Sequence, residues 1–324
     1  MKYFIAIDTG GTKTNSVLFD QEGRVLARDL RRGANAFDLG PMEAGARICG
    51  AITTLCEKLP EGEKISGVYG AVSAAHYYPE IARMASRAAG GAPCQINGVV
   101  YSVMAAVLGR QDGVCLISGT GSYAAARKGD APMHYIGSSG YMLDTGGSGY
   151  AIGRAALIAS QREREGRGPR TLLTELVERD MGETLIDHLP AIYAGGRAYI
   201  SSFAYTVFDA CAQGDPVAKG IFQSAVEYFS DALHGACEYL GKPCTVALGG
   251  GIFLHYPSYV NALCQYAPEG CTFRLLDVPA VYGAALEALW HDGLEPVEGF
   301  RQAFLHSYEA LEARRDAFPG REAH

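Results

Sequence analysis

The segment Asp8-Thr9-Gly10-Gly11-Thr12-Lys13-Thr14 lies between two short apolar runs, residues 3–7 and residues 14–19. Short apolar runs that are interrupted by glycines predict two β-strands joined by a tight turn. A polar turn at residues 21–24 follows, and a third apolar run begins at Val25. The sequence therefore predicts that the chain opens with an antiparallel meander of three strands.

A similar arrangement follows in the middle of the chain. Residues 113–118 form a buried strand that ends in Gly119-Thr120-Gly121, and residues 122–127 return as a second strand. Further strands are predicted at 65–71, 245–248 and 273–276, and helices at 41–59, 151–164, 171–180, 217–240 and 299–316. A strand-turn-strand opening followed by helices, occurring twice, predicts two related α/β domains that face one cleft.

Three glycine turns are the candidate nucleotide site. In the first two turns the glycines have no Cβ that would cover the backbone N–H groups, so these groups can bind the oxyanions of a phosphate chain. The third turn suits a flat adenine for the same reason. The residues that we expect to bind the nucleotide are Thr9, Gly10, Gly11, Thr12, Lys13, Thr14, Ser118, Gly119, Thr120, Gly121, Ser122, Gly249, Gly250 and Gly251. Asp8, at a strand end, is a hard oxygen ligand that suits Mg²⁺. Each turn taken alone has the alternative interpretation of a tight turn that needs a positive φ.

Composition limits the class of protein. A length of 324 residues predicts two domains, and a net charge of −7 argues against a nucleic-acid partner. No apolar run is long enough to span a membrane and the first residues do not resemble a signal peptide, so we expect a cytoplasmic protein. Nine scattered cysteines without a C-x-x-C motif predict reduced thiols rather than a disulfide framework or a zinc site.

The order and separation of the glycine turns resemble the actin/hexokinase/Hsp70 ATP-binding superfamily. Asp8–Thr14 looks like its first phosphate motif, 118–122 like the second and 247–252 like the adenosine motif, while 278–285 (VPAVYGAA) resembles its closing helical segment. This resemblance implies an α/β fold of two ribonuclease H-like domains around an ATP cleft. We expect residues 1–114 plus 297–324 to form the first domain, on the sugar and phosphate side, and 115–296 the second, nucleotide-side domain.

Narrower motifs resemble the BadF/BadG/BcrA/BcrD ATPase family, in its N-acetylglucosamine kinase-like branch. They are ISGTGS at 117–122 and GYMLDTGGSGYAIGR at 140–154. The resemblance implies ATP and Mg²⁺ as cofactors, and we also expect a homodimer. It further implies that a sugar is bound by Asn35, Ser73, Asp144, Gly147 and Ser148. For Asn35 and Ser73 the alternative is a turn-capping Asn and a loop Ser.

One expected residue is missing. In the resembled family an Asp before the second phosphate motif acts as the base for the sugar hydroxyl, and it aligns here with Gly98 or Ser102. No Asp or Glu occurs between Glu80 and Asp112. Asp144 is the candidate catalytic replacement. Its alternatives are to hold sugar hydroxyls or to cap a turn.

These features leave three functions open. The leading prediction is an ATP-dependent amino-sugar kinase, acting on a sugar such as N-acetylglucosamine or glucosamine, that lacks the usual catalytic Asp. The second is an ATP- or sugar-binding pseudokinase or regulator. The third is the iron–sulfur ATPase that activates 2-hydroxyacyl-CoA dehydratases, for which Cys115 is the one cysteine close to a glycine turn.

Overall fold

The computed structural model describes residues 1–144 and 146–316. By the contacts among its residues the chain divides into two compact units. The first unit is Met1–Gly109 together with the chain from Asp277 onward, and the second is Arg110–Leu276.

Both units combine strands and helices. The strands of the described chain are β1 (Tyr3–Thr9), β2 (Lys13–Asp20), β3 (Val25–Arg32), β4 (Ile65–Val72), β5 (Cys94–Asn97), β6 (Gly113–Ser118), β7 (Ser122–Arg127), β8 (His134–Ile136), β9 (Thr245–Gly249) and β10 (Thr272–Leu275). The helices are α1 (Ala36–Leu39), α2 (Pro41–Cys56), α3 (Pro79–Ala88), α4 (Val99–Leu108), α5 (Gly149–Arg164), α6 (Leu172–Met181), α7 (Leu189–Ser202), α8 (Ala204–Ala212), α9 (Pro216–Leu240), α10 (Gly251–His255), α11 (Pro257–Tyr266), α12 (Ala280–His291) and α13 (Phe300–Asp316).

The two units contain sheets of the same design. The first sheet has the order β3-β2-β1-β4-β5, and the second has the order β8-β7-β6-β9-β10. In both sheets the first three strands form an antiparallel meander, and the last two run parallel to the central strand. The duplication predicted from the two strand-turn-strand openings is confirmed.

In each unit, apolar side chains of the sheet and of the helices form a hydrophobic core. In the first unit Ile5 and Ile7 of β1 pack with Ile48 and Ile52 of α2. In the second unit the strands β6 and β7 lie against the long helix α9, and Phe229 belongs to this core. Within the described residues no helix combines the length and apolar composition that crossing a bilayer requires.

The helix α12 lies in the first unit, where it packs on β1, β4 and α4. The sequence analysis placed residues 277–296 in the second domain and set the first boundary at 114 rather than 109. The helix α4 was not predicted because Val99–Leu108 is apolar on nearly every side, so it shows no amphipathic period. The helix α7 was missed because its sequence contains Gly195 and Gly196, and Gly196 has a non-helical φ of 57°.

Helices α4 and α12 approach closely at a glycine. A Cβ built on Gly283 would lie 1.7 Å from the carbonyl oxygen of Ser102, which is backbone and has little freedom to move. The small residues of α12 therefore set the distance between the two helices.

We predict that Gly283→Ala lowers the free energy of unfolding by about 1–3 kcal/mol or more, because overpacking against backbone forces the helices apart. The matched control is Gly220→Ala in α9, where a Cβ would meet open space. There the better helix former should leave stability unchanged or raise it by up to about 1 kcal/mol. Urea unfolding of both variants checks this, and equal stability of the two would contradict the close packing of α4 and α12.

Candidate functional site

The first glycine turn joins β1 to β2. The Thr9 and Thr14 hydroxyl oxygens lie 2.6 Å apart at its base, and both residues are fully buried. The Thr9 hydroxyl also accepts from the N–H of Ala34, and the Thr14 hydroxyl donates to the carbonyl oxygen of Arg32. Thr9 and Thr14 were predicted to bind the nucleotide, and this stays a prediction. In the structure their hydroxyls stabilise the hairpin and the chain that follows β3.

The tip of this turn differs from its base in exposure. Thr12 and Lys13 are exposed, and the Thr12 hydroxyl has no hydrogen-bond partner among the described residues. A Cβ at Gly10 would meet nothing within 4 Å, and Gly10 does not need a positive φ. The fold by itself therefore does not require glycine at position 10, whereas room for a ligand against the backbone would.

Asp8 is the acidic residue of this turn. Its Oδ1 is buried and finds no hydrogen-bond partner in the described part of the chain. Burial raises the pKa of the Asp8 carboxyl to about 6, although the positive charge of Lys13 opposes the rise. An unpartnered buried carboxylate oxygen costs stability, so its presence beside an open glycine tip marks a site that fits a cation.

The second glycine turn joins β6 to β7 and is bound to the segment before α5. The Ser118 hydroxyl donates to the carbonyl oxygen of Gly147 at 2.7 Å, and the Ser122 hydroxyl donates to that of Gly146. The N–H of Gly149 donates to the carbonyl oxygen of Gly119 at 2.7 Å. Each serine has one hydroxyl hydrogen, so neither is left to donate to a phosphate.

Open space remains on the other side of this turn. A Cβ at Gly119 or at Gly121 would meet nothing within 4 Å, and neither residue has a positive φ. Thr120 is half-buried, and its hydroxyl has no partner among the residues that the structure describes. As at Gly10, neither the packing nor the backbone conformation requires glycine at positions 119 and 121.

The third turn, at Gly249–Gly251, contacts the second turn. Gly250 has a φ of +100°, and a Cβ there would lie 2.2 Å from the carbonyl oxygen of Ser118. Glycine at position 250 is therefore required by the backbone conformation and by this close approach. The structure brings the second and third predicted turns together within the second unit.

Asp144 is bound to helix α9. The Tyr228 hydroxyl donates to its Oδ2 at 2.9 Å and lies 3.2 Å from the carbonyl oxygen of Gly137. Burial raises the pKa of the Asp144 carboxyl, while the hydrogen bonds from Tyr228 and from the N–H of Gly146 lower it. A carboxylate with a raised pKa accepts a proton more readily, and this one also anchors its loop to Tyr228.

Tyr228 is a residue that the sequence analysis missed. A Cβ at Gly146 would lie 1.9 Å from its ring, and one at Gly147 would lie 2.4 Å from Phe229. These glycines let the loop lie directly on the aromatic side chains. Ser148, predicted to bind sugar, accepts from the N–H of Ala151 and caps helix α5. Tyr228 lies twelve positions after the first residue of the long helix α9, and nothing in the sequence there indicates this contact.

In the first unit, the predicted sugar-binding residues meet at one edge of the sheet. Because β1, β4 and β5 are parallel, their carboxyl ends lie together, and the N–H of Ser73 donates to the carbonyl oxygen of Thr9. The carbonyl oxygen of Ser73 in turn accepts from the N–H of Ala36. Asn35 caps helix α1 through its Oδ1, which leaves its amide nitrogen free to donate.

Two exposed aromatic residues join these segments, and the sequence analysis did not identify them. Phe37 stacks on Tyr77 with ring centroids 5.4 Å apart, and Tyr78 packs edge-on against Phe37. Phe37 is 47% exposed and Tyr77 is 56% exposed, although large aromatic side chains normally bury most of their surface. An exposed stacked pair beside Asn35 and Ser73 offers an apolar face next to hydrogen-bonding groups.

The two positions that align with the family Asp lie in different environments. Gly98 directly follows β5 at the same sheet edge and is the N-cap of α4, with φ −69° and ψ 158°. Ser102 is fully buried inside α4, and its hydroxyl donates to the carbonyl oxygen of Val99. Of the two positions, Gly98 is the one at the carboxyl end of the sheet, next to the end of β4 that leads to Ser73. Strand β4 separates β5 from β1, which carries Asp8.

Comparison with known proteins agrees with this architecture. The chain is 26% identical over 273 residues to an N-acetylmuramic acid/N-acetylglucosamine kinase of Clostridium acetobutylicum, covering 78% of this chain and 86% of that protein. It is 25% identical over 255 residues to an N-acetyl-D-glucosamine kinase of Dictyostelium discoideum, covering 74% of this chain and 80% of that protein.

A solved structure of a candidate N-acetylglucosamine kinase from Chromobacterium violaceum superposes with a TM-score of 0.69 at 22% identity, covering 88% of this chain and 98% of that one. The predicted fold class, α/β with two domains of the actin/hexokinase type, is confirmed. The sequence profile of the BadF/BadG/BcrA/BcrD ATPase family matches residues 5–288, and the chain therefore belongs to that family.

Proposed function

We propose that this protein is an ATP-dependent sugar kinase that acts on an amino sugar such as N-acetylglucosamine or glucosamine. The observation that carries the proposal is the unpartnered Oδ1 of Asp8 beside a glycine tip with open space. Two relatives named as N-acetylglucosamine kinases, which align with about three quarters of the chain, support the choice of acceptor.

The residues present fit a magnesium nucleotide. Asp8 would hold Mg²⁺, and the backbone N–H groups around Gly10, Gly119 and Gly121 would donate to phosphate oxygens, since a Cβ at each glycine would occupy open space. Bound Mg²⁺ neutralises charge on the phosphates during phosphoryl transfer. Thr12, Lys13 and Thr120 supply the polar groups that the fold leaves without a hydrogen-bond partner in the described residues.

The acceptor sugar is assigned to the sheet edge of the first unit. The amide nitrogen of Asn35 and the hydroxyl of Ser73 have no hydrogen-bond partner among the described residues, so they can bind sugar hydroxyls or an N-acetyl oxygen. The stacked pair of Phe37 and Tyr77 offers an apolar surface to the sugar's C–H face. The predicted homodimer and cytoplasmic location stay predictions.

The acid–base step depends on Asp144, the candidate replacement for the family Asp. Asp144 can serve as the base, hold the acceptor or anchor its loop, and its hydrogen bond to Tyr228 supports the anchoring role. General-base catalysis contributes about 10²–10⁴-fold, whereas positioning and charge neutralisation supply most of phosphoryl-transfer catalysis. We therefore propose slow turnover with intact ATP binding.

A second candidate function is a pseudokinase that binds ATP or sugar without turnover. It is favoured by the lack of any Asp or Glu between Glu80 and Asp112. The iron–sulfur activator is disfavoured because Cys115 is fully buried inside β6, where burial raises the pKa of its thiol.

For the cation site, we predict that Asp8→Asn makes the ligand-free protein more stable at pH 7.5. The folded protein holds the Asp8 proton more tightly than the unfolded chain does, so folding is penalised increasingly as the pH rises from about 4 to about 6. Removing the charge should recover up to about 3 kcal/mol at pH 7.5 and little at pH 4. In the presence of Mg-ATP the order should reverse, because only the wild type gains stability from the ligand.

Chemical unfolding at both pH values, with and without Mg-ATP, measures this. A less stable ligand-free variant at pH 7.5 would show that Oδ1 has a stabilising partner.

For the nucleotide site, we predict that Gly121→Val weakens ATP binding at least about tenfold while the unfolding temperature changes little, because the side chain fills ligand space and not protein space. Gly250→Ala is the contrasting variant, since its Cβ would lie 2.2 Å from the carbonyl oxygen of Ser118 and should destabilise the second unit. Calorimetry with Mg-ATP checks both variants. Wild-type affinity in Gly121→Val would remove this turn from the site.

For the proposed activity, we predict slow ADP release with N-acetylglucosamine or glucosamine, and a rise in kcat of about 10²-fold in Gly98→Asp. Asp is a favourable N-cap residue in the extended conformation that Gly98 adopts, so the variant should fold. The matched control is Ser102→Asp, which would bury a carboxylate in α4 and should destabilise the protein without raising the rate.

Asp144→Asn completes this test. A fall in kcat with unchanged ATP affinity would assign it the base role, and a higher KM for the sugar would assign it to acceptor binding. If ATP binds but no sugar is phosphorylated by either the wild type or Gly98→Asp, the pseudokinase is the correct function.

A further inference from the structure

Three cysteines that are far apart in the sequence meet at one end of the second sheet. They are Cys237, Cys244 and Cys271, and their sulfur atoms all lie within 4.8 Å of one another. The Cys237 Sγ is 3.9 Å from the Cys244 Sγ and 3.5 Å from the Cys271 Sγ. The cluster lies at the amino ends of β9 and β10, whereas the glycine turn at Gly249–Gly251 follows the carboxyl end of β9.

Strand register brings two of these cysteines side by side. In the parallel pair of β9 and β10, Thr245 is opposite Thr272, so the preceding residues, Cys244 and Cys271, are also neighbours. The N–H of Thr272 donates to the carbonyl oxygen of Cys244 at 3.1 Å and holds this alignment.

The third cysteine comes from the last turn of α9. The helix ends at Gly241, which has a φ of 74°, and the N–H groups of Gly241 and Lys242 both donate to the carbonyl oxygen of Cys237. This turn reverses the chain and leads directly into β9. The three sulfur atoms are thus positioned by backbone hydrogen bonds and not by flexible loops.

The spacing of the sulfur atoms suits one metal ion. Two thiolates bound at ~2.3 Å to a tetrahedral zinc ion are about 3.8 Å apart, close to the two separations observed here. A [4Fe–4S] cluster binds each cysteine through a different iron atom and a [2Fe–2S] cluster binds two cysteines per iron, so three sulfur atoms that are all this close together do not suit either cluster. We propose that Cys237, Cys244 and Cys271 form a three-thiolate site for a zinc-type cation, with solvent as the fourth ligand.

Access and chemistry support this site. Cys237 is buried, while Cys244 and Cys271 are partly buried and keep some contact with solvent, so an ion and its water ligand can reach the sulfur atoms. A bound zinc ion displaces the thiol proton itself. Such an ion would join the end of α9 to the neighbouring strands β9 and β10.

The first test is a cobalt titration of the full-length protein purified under reducing conditions. Co²⁺ bound by thiolates gives a ligand-to-metal absorption band, which should saturate at one ion per chain and disappear on addition of Zn²⁺. Cys244→Ser and Cys271→Ser should each weaken Co²⁺ binding at least about tenfold. Cys264→Ser, at an exposed cysteine outside the cluster, is the matched control and should leave the titration unchanged.

The second test needs no variant. Alkylation of the wild type followed by peptide mass spectrometry should show that Zn²⁺ protects Cys237, Cys244 and Cys271 and does not protect Cys264. Three results would overturn the proposal: no thiolate band in the wild type, an unchanged band in Cys271→Ser, or a Cys237–Cys271 disulfide in place of zinc protection.

Discussion

Parallel pairing of the central strands is the constraint on which the candidate sites depend. In each sheet the first strand of the meander is also the parallel partner of a later strand, so one edge collects chain ends from distant parts of the sequence. In the first unit this edge holds Asp8, Ser73 and Gly98, and in the second it holds Gly119 and Gly250. The opposite end of the second sheet, by the same register, collects the cysteines at the starts of β9 and β10.

The sequence predicts the parts of the fold that depend on local patterns. Both hairpins, the long helix α9 and the duplicated layout follow from glycine turns and apolar periodicity, and the structure confirms them. Patterns fail where a segment is buried on all sides, as in α4, or contains a glycine kink, as in α7. Local patterns also fail for the cysteines, because Cys244 and Cys271 are 27 positions apart in the sequence and only strand pairing brings them together.

Within the predicted nucleotide residues, the structure separates two kinds. Hydroxyls that a motif presents as phosphate ligands can already be used by the fold, as those of Thr14, Ser118 and Ser122 are. Glycines divide in the same way: Gly250 is required by its φ and by a neighbouring carbonyl, whereas Gly10 and Gly121 are required by nothing in the described chain. A sequence motif cannot make this distinction, because both kinds of glycine are identical in it.

The same reasoning applies to the carboxylates. A buried carboxylate oxygen without a hydrogen-bond partner costs stability, and Asp8 has such an oxygen next to the open Gly10 tip, where the Lys13 charge only partly offsets the effect of burial on its pKa. Asp144 differs, because Tyr228 and the N–H of Gly146 satisfy it within the second unit. A carboxylate whose oxygens already accept hydrogen bonds is stabilised less by binding a ligand than a carboxylate with an unpartnered oxygen. The electrostatics therefore support the proposed cation site at Asp8 more strongly than they support a base role for Asp144.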